Sequence, residues 1–189
     1  MLDRAGGGKE NMAAPLASEL PGEVQPKVQR IQKWVKPAPD VVKINIDAAF
    51  SGVSQPAGWG CIARDHAGDV FFAAAGVLEY MCDALHAEAC ALLHAARFAQ
   101  DHGMGRVAFE TDCLVLQQAI NSETLDRSSL GAVFRELKYL LELGFIKWNV
   151  PHCPRVCNVP AHELAALGGS GVLVFMETNL FGFQTSLIL

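Results

Sequence analysis

The sequence lacks the features of a membrane-bound or secreted protein. No apolar run is long enough to span a bilayer, and the first thirty residues contain no apolar stretch like that of a signal peptide. Residue 2 is leucine, which excludes N-myristoylation. We therefore expect an intracellular protein, nuclear or cytoplasmic, that makes no membrane contact.

Excess positive charge and regular cysteine spacing are also missing. The formal charge is −5, so any nucleic-acid site has to be a local basic patch. The six cysteines are scattered among apolar residues, which indicates a reducing compartment rather than a disulfide framework. Cys153 and Cys157 lie between His152 and His162, a grouping that allows a zinc site. No second pair of closely spaced cysteines supports zinc, so we do not favour it.

The sequence does contain many hydrophobic residues, which make up 51% of its 189 positions. That is enough for one domain with a substantial core. Residues 1–36 show no sustained period and are expected to form a disordered leader, with Trp34 holding its end to the domain. The periodic region predicts a domain over 37–168. Residues 169–189 form an apolar tail with one charge, Glu177. This tail packs on the domain, extends a sheet edge or remains a poorly ordered end.

Hydrophobic periodicity predicts three strands, a helix, a strand, two helices, a strand and a final helix. The stretch 41–50 alternates apolar and polar residues, which is typical of a half-buried strand. Short links favour antiparallel pairing of the first three strands, and the whole order predicts an α/β fold with a five-stranded mixed sheet flanked by helices. The predicted strands are 41–50, 58–64, 70–76, 106–110 and 145–150, and the predicted helices are 84–100, 114–120, 128–143 and 160–167.

Three acidic residues stand where this fold can bring them together. Asp47 lies on the first strand, Glu88 interrupts the apolar stripe of the first long helix, and Asp112 follows the fourth strand. If the fourth strand pairs with the first, the carboxylates converge, and a divalent cation relieves their mutual repulsion. Each residue also has an ordinary explanation: a solvated strand end, a helix rim and a helix N-cap, respectively.

Five motifs stand out in order along the chain. They are Asn-Ile-Asp-Ala-Ala-Phe at 45–50, Ala-Gly-Trp-Gly at 57–60, His-Ala-Glu-Ala-Cys-Ala-Leu at 86–92, Glu-Thr-Asp-Cys at 110–113, and Pro-Arg-Val-Cys-Asn through Ala-His-Glu-Leu-Ala at 154–165. Together they resemble the ribonuclease H superfamily, and more narrowly the type 1 plant RNase H-like domains related to reverse transcriptases of non-LTR retroelements. The resemblance covers about residues 41–168 and implies the ribonuclease H fold and Mg²⁺-dependent cleavage of RNA in RNA–DNA hybrids.

By this resemblance Asp47, Glu88 and Asp112 match the first three metal-binding carboxylates. The family places a fourth carboxylate before Glu-Leu-Ala, and this sequence has His162 there. Imidazole can bind a metal but suits Mg²⁺ less well than a carboxylate does. His152 matches a loop histidine of type 1 enzymes and is expected to shuttle a proton near neutral pH, the alternative being a solvated loop residue.

Two functions follow. The first is a monomeric ribonuclease H-type endonuclease that uses Mg²⁺, or Mn²⁺ in its place, on RNA–DNA hybrid or RNA. The second is a nucleic-acid-binding or protein-interaction module of the same fold with little or no catalysis. The intact carboxylate trio favours the first function. His162, the acidic balance and the lack of a basic insertion between residues 120 and 130 favour the second.

Overall fold

The computed structural model describes the backbone of residues 32–179 and 182–188 and the side chains of residues 32–177. Residues 1–31, most of the predicted leader, lie outside the described residues. Within the described part of the chain, no helix has both the length and the apolarity needed to cross a membrane.

The described chain folds into strands and helices in the predicted order, with two further strands after the last helix. The strands are β1 (Val42–Ala49), β2 (Ala57–Arg64), β3 (Val70–Leu78), β4 (Arg106–Glu110), β5 (Lys147–Asn149), β6 (Leu173–Asn179) and β7 (Gly182–Ile188). The helices are α1 (Ala84–Asp101), α2 (Leu114–Asn121), α3 (Gly131–Gly144) and α4 (Arg155–Gly169).

All the strands join one mixed sheet in the order β5-β4-β1-β2-β3-β6-β7. The interior strand β1 runs antiparallel to β2 and parallel to β4. Parallel pairing places the carboxyl ends of β1 and β4 at the same edge of the sheet. The pairing on which convergence of the acidic residues depends is therefore present, and the predicted α/β class with a mixed sheet is confirmed.

The predicted number of strands was wrong, because the apolar tail extends the sheet. Gly171 adopts a positive φ of 90° and redirects the chain after α4. β6 then pairs antiparallel with β3, and β7 pairs antiparallel with β6. Pairing satisfies the backbone groups that the edge of β3 would otherwise expose, and it buries Val174. The seven-stranded sheet replaces the predicted five.

The apolar side of β1 packs on α1. Ile44 and Ile46 are fully buried in a core cluster that also contains seven buried residues of α1, six of them alanines. Small side chains allow the helix to approach the sheet closely. On the same side, the indole of Trp59 stacks on the ring of His94, with 4.6 Å between the ring centroids.

The opposite side of the sheet receives α4, and glycines in β2 permit the contact. A Cβ on Gly60 would overlap the backbone nitrogen of Ala165 and lie 2.7 Å from the carbonyl oxygen of Ala161. A Cβ on Gly58 would likewise overlap the α4 backbone. The glycines of the 57–60 motif therefore set the distance between this helix and the sheet.

The last helix begins earlier than predicted, at Arg155, and contains Pro160. Proline lacks the N–H that would bond to the carbonyl of Val156, but Val156 is exposed, so water can satisfy that carbonyl. The earlier start has a functional consequence. Arg155, Asn158 and His162 are spaced three and four residues apart, so they lie on one face of α4.

We predict that Gly60→Ala lowers the free energy of unfolding by about 1–3 kcal/mol or more, because the new methyl group has to push α4 away from β2. Urea unfolding measures the change. Gly169→Ala is the matched control, because the nearest atom to its Cβ would be the backbone nitrogen of Gly58 at an ordinary 3.4 Å. Equal stabilities for the two variants would contradict the close packing.

Candidate active site

The structure brings Asp47, Glu88 and Asp112 together. One carboxylate oxygen from each lies within 4.8 Å of the others. Asp47 comes from the second half of β1, Asp112 lies two residues beyond the end of β4, and Glu88 projects from the second turn of α1. Among the described residues this is the one group of three or more metal-binding side chains close enough to share an ion.

Burial and crowding raise the pKa of two of these carboxyl groups. Burial, together with the charges of Asp47 and Asp112, raises the pKa of Glu88 to about 9. Burial also raises the pKa of Asp47 to about 6, against the opposing effect of its hydrogen bond with His162. The Oε2 atom of Glu88 is buried and has no hydrogen-bond partner among the described residues. Glu88 is therefore not a solvated rim residue.

Asp112 does not cap the helix that follows it. The N-cap position of α2 is Cys113, whose backbone N–H donates to Oγ1 of Thr111 at 3.0 Å. The Asp112 carboxylate faces α4 instead. Its Oδ1 accepts a hydrogen bond from Nδ2 of Asn158 at 3.1 Å, and its Oδ2 lies 3.6 Å from the guanidinium of Arg155.

His162 contacts the trio through Asp47. Its Nδ1 lies 2.8 Å from Oδ2 of Asp47, and its Nε2 lies 3.0 Å from a guanidinium nitrogen of Arg155. A guanidinium only donates, and a carboxylate accepts, so these contacts suit an imidazole that carries its proton on Nδ1. These contacts place His162 against a carboxylate of the trio.

His152 lies beside the trio but outside its hydrogen bonds. Its backbone forms an isolated parallel bridge with Thr111, the residue before Asp112. Its side chain is exposed and has no hydrogen bond or ion pair with any residue that the structure describes. The backbone bridge therefore places an unengaged imidazole at the margin of the site.

The alternative zinc site is not formed. Cys153 and Cys157 are buried, and burial together with the charge of Glu110 raises the pKa of the Cys153 thiol to about 12. A thiol must lose its proton to bind zinc, so this environment opposes binding. The sulfur of Cys153 instead lies 3.9 Å from Nδ2 of Asn45.

Sequence reasoning missed a buried polar network behind the trio. Asn45 and Asn158 are fully buried, and Nδ2 of Asn45 donates to Oδ1 of Asn158 at 3.1 Å. Asn45 also contacts Glu110, which pairs with Lys43 at 2.7 Å. Two features of the sequence could have indicated this network. Lys43 and Asn45 share the polar face of β1 with Asp47, and Asn158 belongs to the last of the five motifs.

Comparison with known proteins agrees with this geometry. The family model described as reverse transcriptase-like matches residues 45–168, a range that contains the trio and His162. The chain belongs to this family. The resemblance to ribonuclease H is thereby confirmed.

One curated relative is an Arabidopsis thaliana protein named as a candidate ribonuclease H protein. It is 28% identical over 161 residues, which cover 85% of this chain and 26% of that protein. The chain therefore spans about a quarter of the length of this relative.

Solved structures of ribonucleases H share the fold. Ribonuclease H1 of Halobacterium salinarum is 24% identical, with a TM-score of 0.62 over 68% of this chain and 96% of that one. LC11-RNase H1, isolated from compost by a metagenomic approach, is 20% identical, with a TM-score of 0.64 over 69% and 96% of the two chains. The same LC11 enzyme in complex with an RNA/DNA hybrid is 21% identical, with a TM-score of 0.61 over 68% and 96%.

We predict a pH-dependent cost of ionising Glu88 in the metal-free protein. The pKa of Glu88 is raised from 4.5 to about 9, so the native state keeps a proton that the unfolded chain loses above about pH 4.5. This contribution to stability is present at low pH and is lost as the pH rises toward about 9. Glu88→Gln removes the titration, so the variant should gain stability relative to the original protein across this window.

Urea unfolding between about pH 5 and about pH 9 measures this difference. Glu123→Gln, at an exposed position after α2, makes the same chemical change away from the site and should give a difference that does not vary with pH. A flat profile for Glu88→Gln as well would contradict the inferred burial of the carboxyl group.

Proposed function

We propose that the chain is a metal-dependent endonuclease that cleaves the RNA strand of RNA–DNA hybrids. The observation that carries the proposal is the convergence of Asp47, Glu88 and Asp112 within 4.8 Å. Family membership over residues 45–168 and the fold shared with ribonuclease H1 proteins support it. LC11-RNase H1, which binds RNA/DNA hybrid, supports the choice of substrate by analogy.

The residues present fit a hard divalent cation. The trio offers only carboxylate oxygens, the donors that Mg²⁺ and Mn²⁺ prefer. The buried Oε2 of Glu88 has no hydrogen-bond partner among the described residues, which is the environment expected of a group whose partner is an ion. Asp47, Glu88 and Asp112 would hold Mg²⁺ or Mn²⁺, with His162 as a fourth group beside Asp47. A bound cation supplies an acidified water and stabilises charge on the phosphate.

The remaining polar groups have roles around this centre. Arg155 has an exposed side chain next to Asp112, so its guanidinium can donate to a phosphate oxygen of the substrate. Asn158 donates a hydrogen bond to Asp112 and so orients its carboxylate. The backbone of His152 bridges Thr111, the residue before Asp112, and its exposed imidazole can carry a proton to or from the reacting oxygen.

A specific observation favours the second candidate function, a nucleic-acid-binding module with little catalysis. His162 donates to Asp47 at 2.8 Å and so occupies one of the two oxygens that Asp47 could offer to a metal. Imidazole is also a weaker partner than carboxylate for Mg²⁺. The two candidates differ in whether metal binding leads to cleavage, which an assay on hybrid substrate distinguishes.

We predict that Asp47→Asn reduces cleavage of a labelled RNA–DNA hybrid by on the order of 10³-fold, because the amide removes an anionic ligand from the metal site. The assay compares Mg²⁺ with Mn²⁺ and includes single-stranded RNA and double-stranded DNA as alternative substrates. Asp101→Asn, at the exposed end of α1, is the control for the same change of charge. Cleavage that persists in Asp47→Asn would remove this mechanism.

We predict that His162→Asp raises the affinity for Mg²⁺ by about tenfold, because a fourth anionic oxygen suits a hard cation better than imidazole does. Isothermal titration of Mg²⁺ measures the change. His162→Asn is the control, since it removes the imidazole and adds no charge. Equal Mg²⁺ affinity in the Asp and Asn variants, with circular dichroism showing both folded, would place His162 outside the metal site.

A further inference from the structure

A segment outside the family match packs against the polar side of the sheet. Trp34 and Val35 precede residue 45, where the match begins, yet both contact residues of the sheet. The indole of Trp34 covers the guanidinium of Arg64, with 3.7 Å from Cζ to the ring centroid. The Nζ of Lys43 lies 5.4 Å from the same centroid and donates to the carbonyl of Val35 at 2.6 Å.

Arg64 is half-buried beneath this indole and makes few hydrogen bonds. Its Nε is buried without a hydrogen-bond partner among the described residues. Its Nη2 donates a hydrogen bond to Oδ1 of Asn45 at 2.6 Å. The stack on Trp34 is therefore the contact that covers the guanidinium, and the hydrogen bond to Asn45 is its main polar link.

This hydrogen bond fixes the orientation of the Asn45 amide. A guanidinium can only donate, so the atom facing Arg64 has to be Oδ1 of Asn45. Nδ2 of Asn45 then points to Glu110 and Asn158, and it donates 3.1 Å bonds to Oε2 of Glu110 and Oδ1 of Asn158. The reversed amide would place three oxygens against one another in a buried site, which is strongly unfavourable.

The orientation of Asn45 in turn fixes Asn158. Since Oδ1 of Asn158 accepts from Asn45, its Nδ2 has to donate on the other side. Nδ2 of Asn158 contacts the backbone carbonyl of Ile46 at 2.9 Å and Oδ1 of Asp112 at 3.1 Å. Ile46 is the residue before Asp47, so this one amide links β1 next to Asp47 with the carboxylate of Asp112.

We propose that Trp34 is a positioning residue, which by stacking on Arg64 fixes the direction of the Asn45–Asn158 amide relay and so the orientation of Asp112 in the metal site. Residues 34 and 35 are then part of the functional unit. The inference rests on the proposed function only in taking Asp112 as a metal ligand. The direction of the relay itself is independent of any activity.

The test uses the full chain with Trp34→Leu, which keeps an apolar side chain but removes the aromatic face, and Trp34→Phe, which keeps that face. In the metal-free protein, NMR follows the side-chain amide protons of Asn158 and their exchange with solvent. We expect Trp34→Leu to shift these signals and speed their exchange, and to lower the affinity for Mn²⁺ by about tenfold in isothermal titration. Trp34→Phe should restore most of both properties.

Trp148→Ala is the control for loss of an indole elsewhere in the sheet. Trp148 is half-buried in β5, and its Nε1 donates to Glu142 at 3.3 Å, so it has no bond to the relay. We expect it to lower thermal stability while leaving the Asn158 signals and the Mn²⁺ affinity unchanged. If the original protein cleaves no hybrid but Trp34→Leu still changes the Asn158 signals as expected, the proposed function is overturned and the relay is kept.

Unchanged Asn158 signals and unchanged Mn²⁺ affinity in Trp34→Leu would overturn the proposal and leave Trp34 with a packing role. If Trp34→Leu does not fold, Arg64→Lys provides the second variant. Lysine keeps the charge but presents no planar group to the indole and no fixed fork to Asn45. It should therefore give the same changes in the amide signals, and their absence would overturn the proposal equally.

Discussion

Three carboxylates share one partly buried site, and much of the surrounding structure compensates for that crowding. Charges of one sign within 4.8 Å repel strongly where little water screens them. The raised pKa values of Asp47 and Glu88 show one response, which is that two of the groups ionise less readily. His162 and Arg155 show another, since both place donor nitrogens against the trio. A divalent cation would replace both responses with a single stronger one.

The buried network behind the site serves the same constraint. Lys43 neutralises Glu110, and the two asparagines carry defined donor and acceptor directions without adding charge. A carboxylate that must release and receive a metal needs neighbours that hold its position without competing as anions. Amides meet that need better than ionised groups do. The buried asparagines are therefore a structural requirement of the crowded site rather than incidental polar residues.

The order of strands and helices could be predicted from the sequence, because the alternation along β1 and the apolar stripe of α1 are local periodic patterns. The placement of Asp47, Glu88 and Asp112 followed from the pairing of β1 with β4. The start of α4 could not be predicted, because Pro160 suggests a helix boundary and only the exposure of Val156 makes it tolerable inside the helix. The tail could not be placed either, since its pairing with β3 depends on a sheet edge that no local pattern reveals.

The distribution of charge links metal binding to nucleic-acid binding under the proposed function. The whole chain carries −5, and the trio adds a local concentration of negative charge where a phosphate would have to approach. Among the described lysines and arginines, Lys43 is neutralised by Glu110 and Arg64 is covered by Trp34, whereas Arg155 is exposed beside the trio. One guanidinium cannot offset three carboxylates. A phosphate backbone is therefore attracted to this site chiefly when a divalent cation occupies it, so the cation contributes to substrate binding as well as to cleavage.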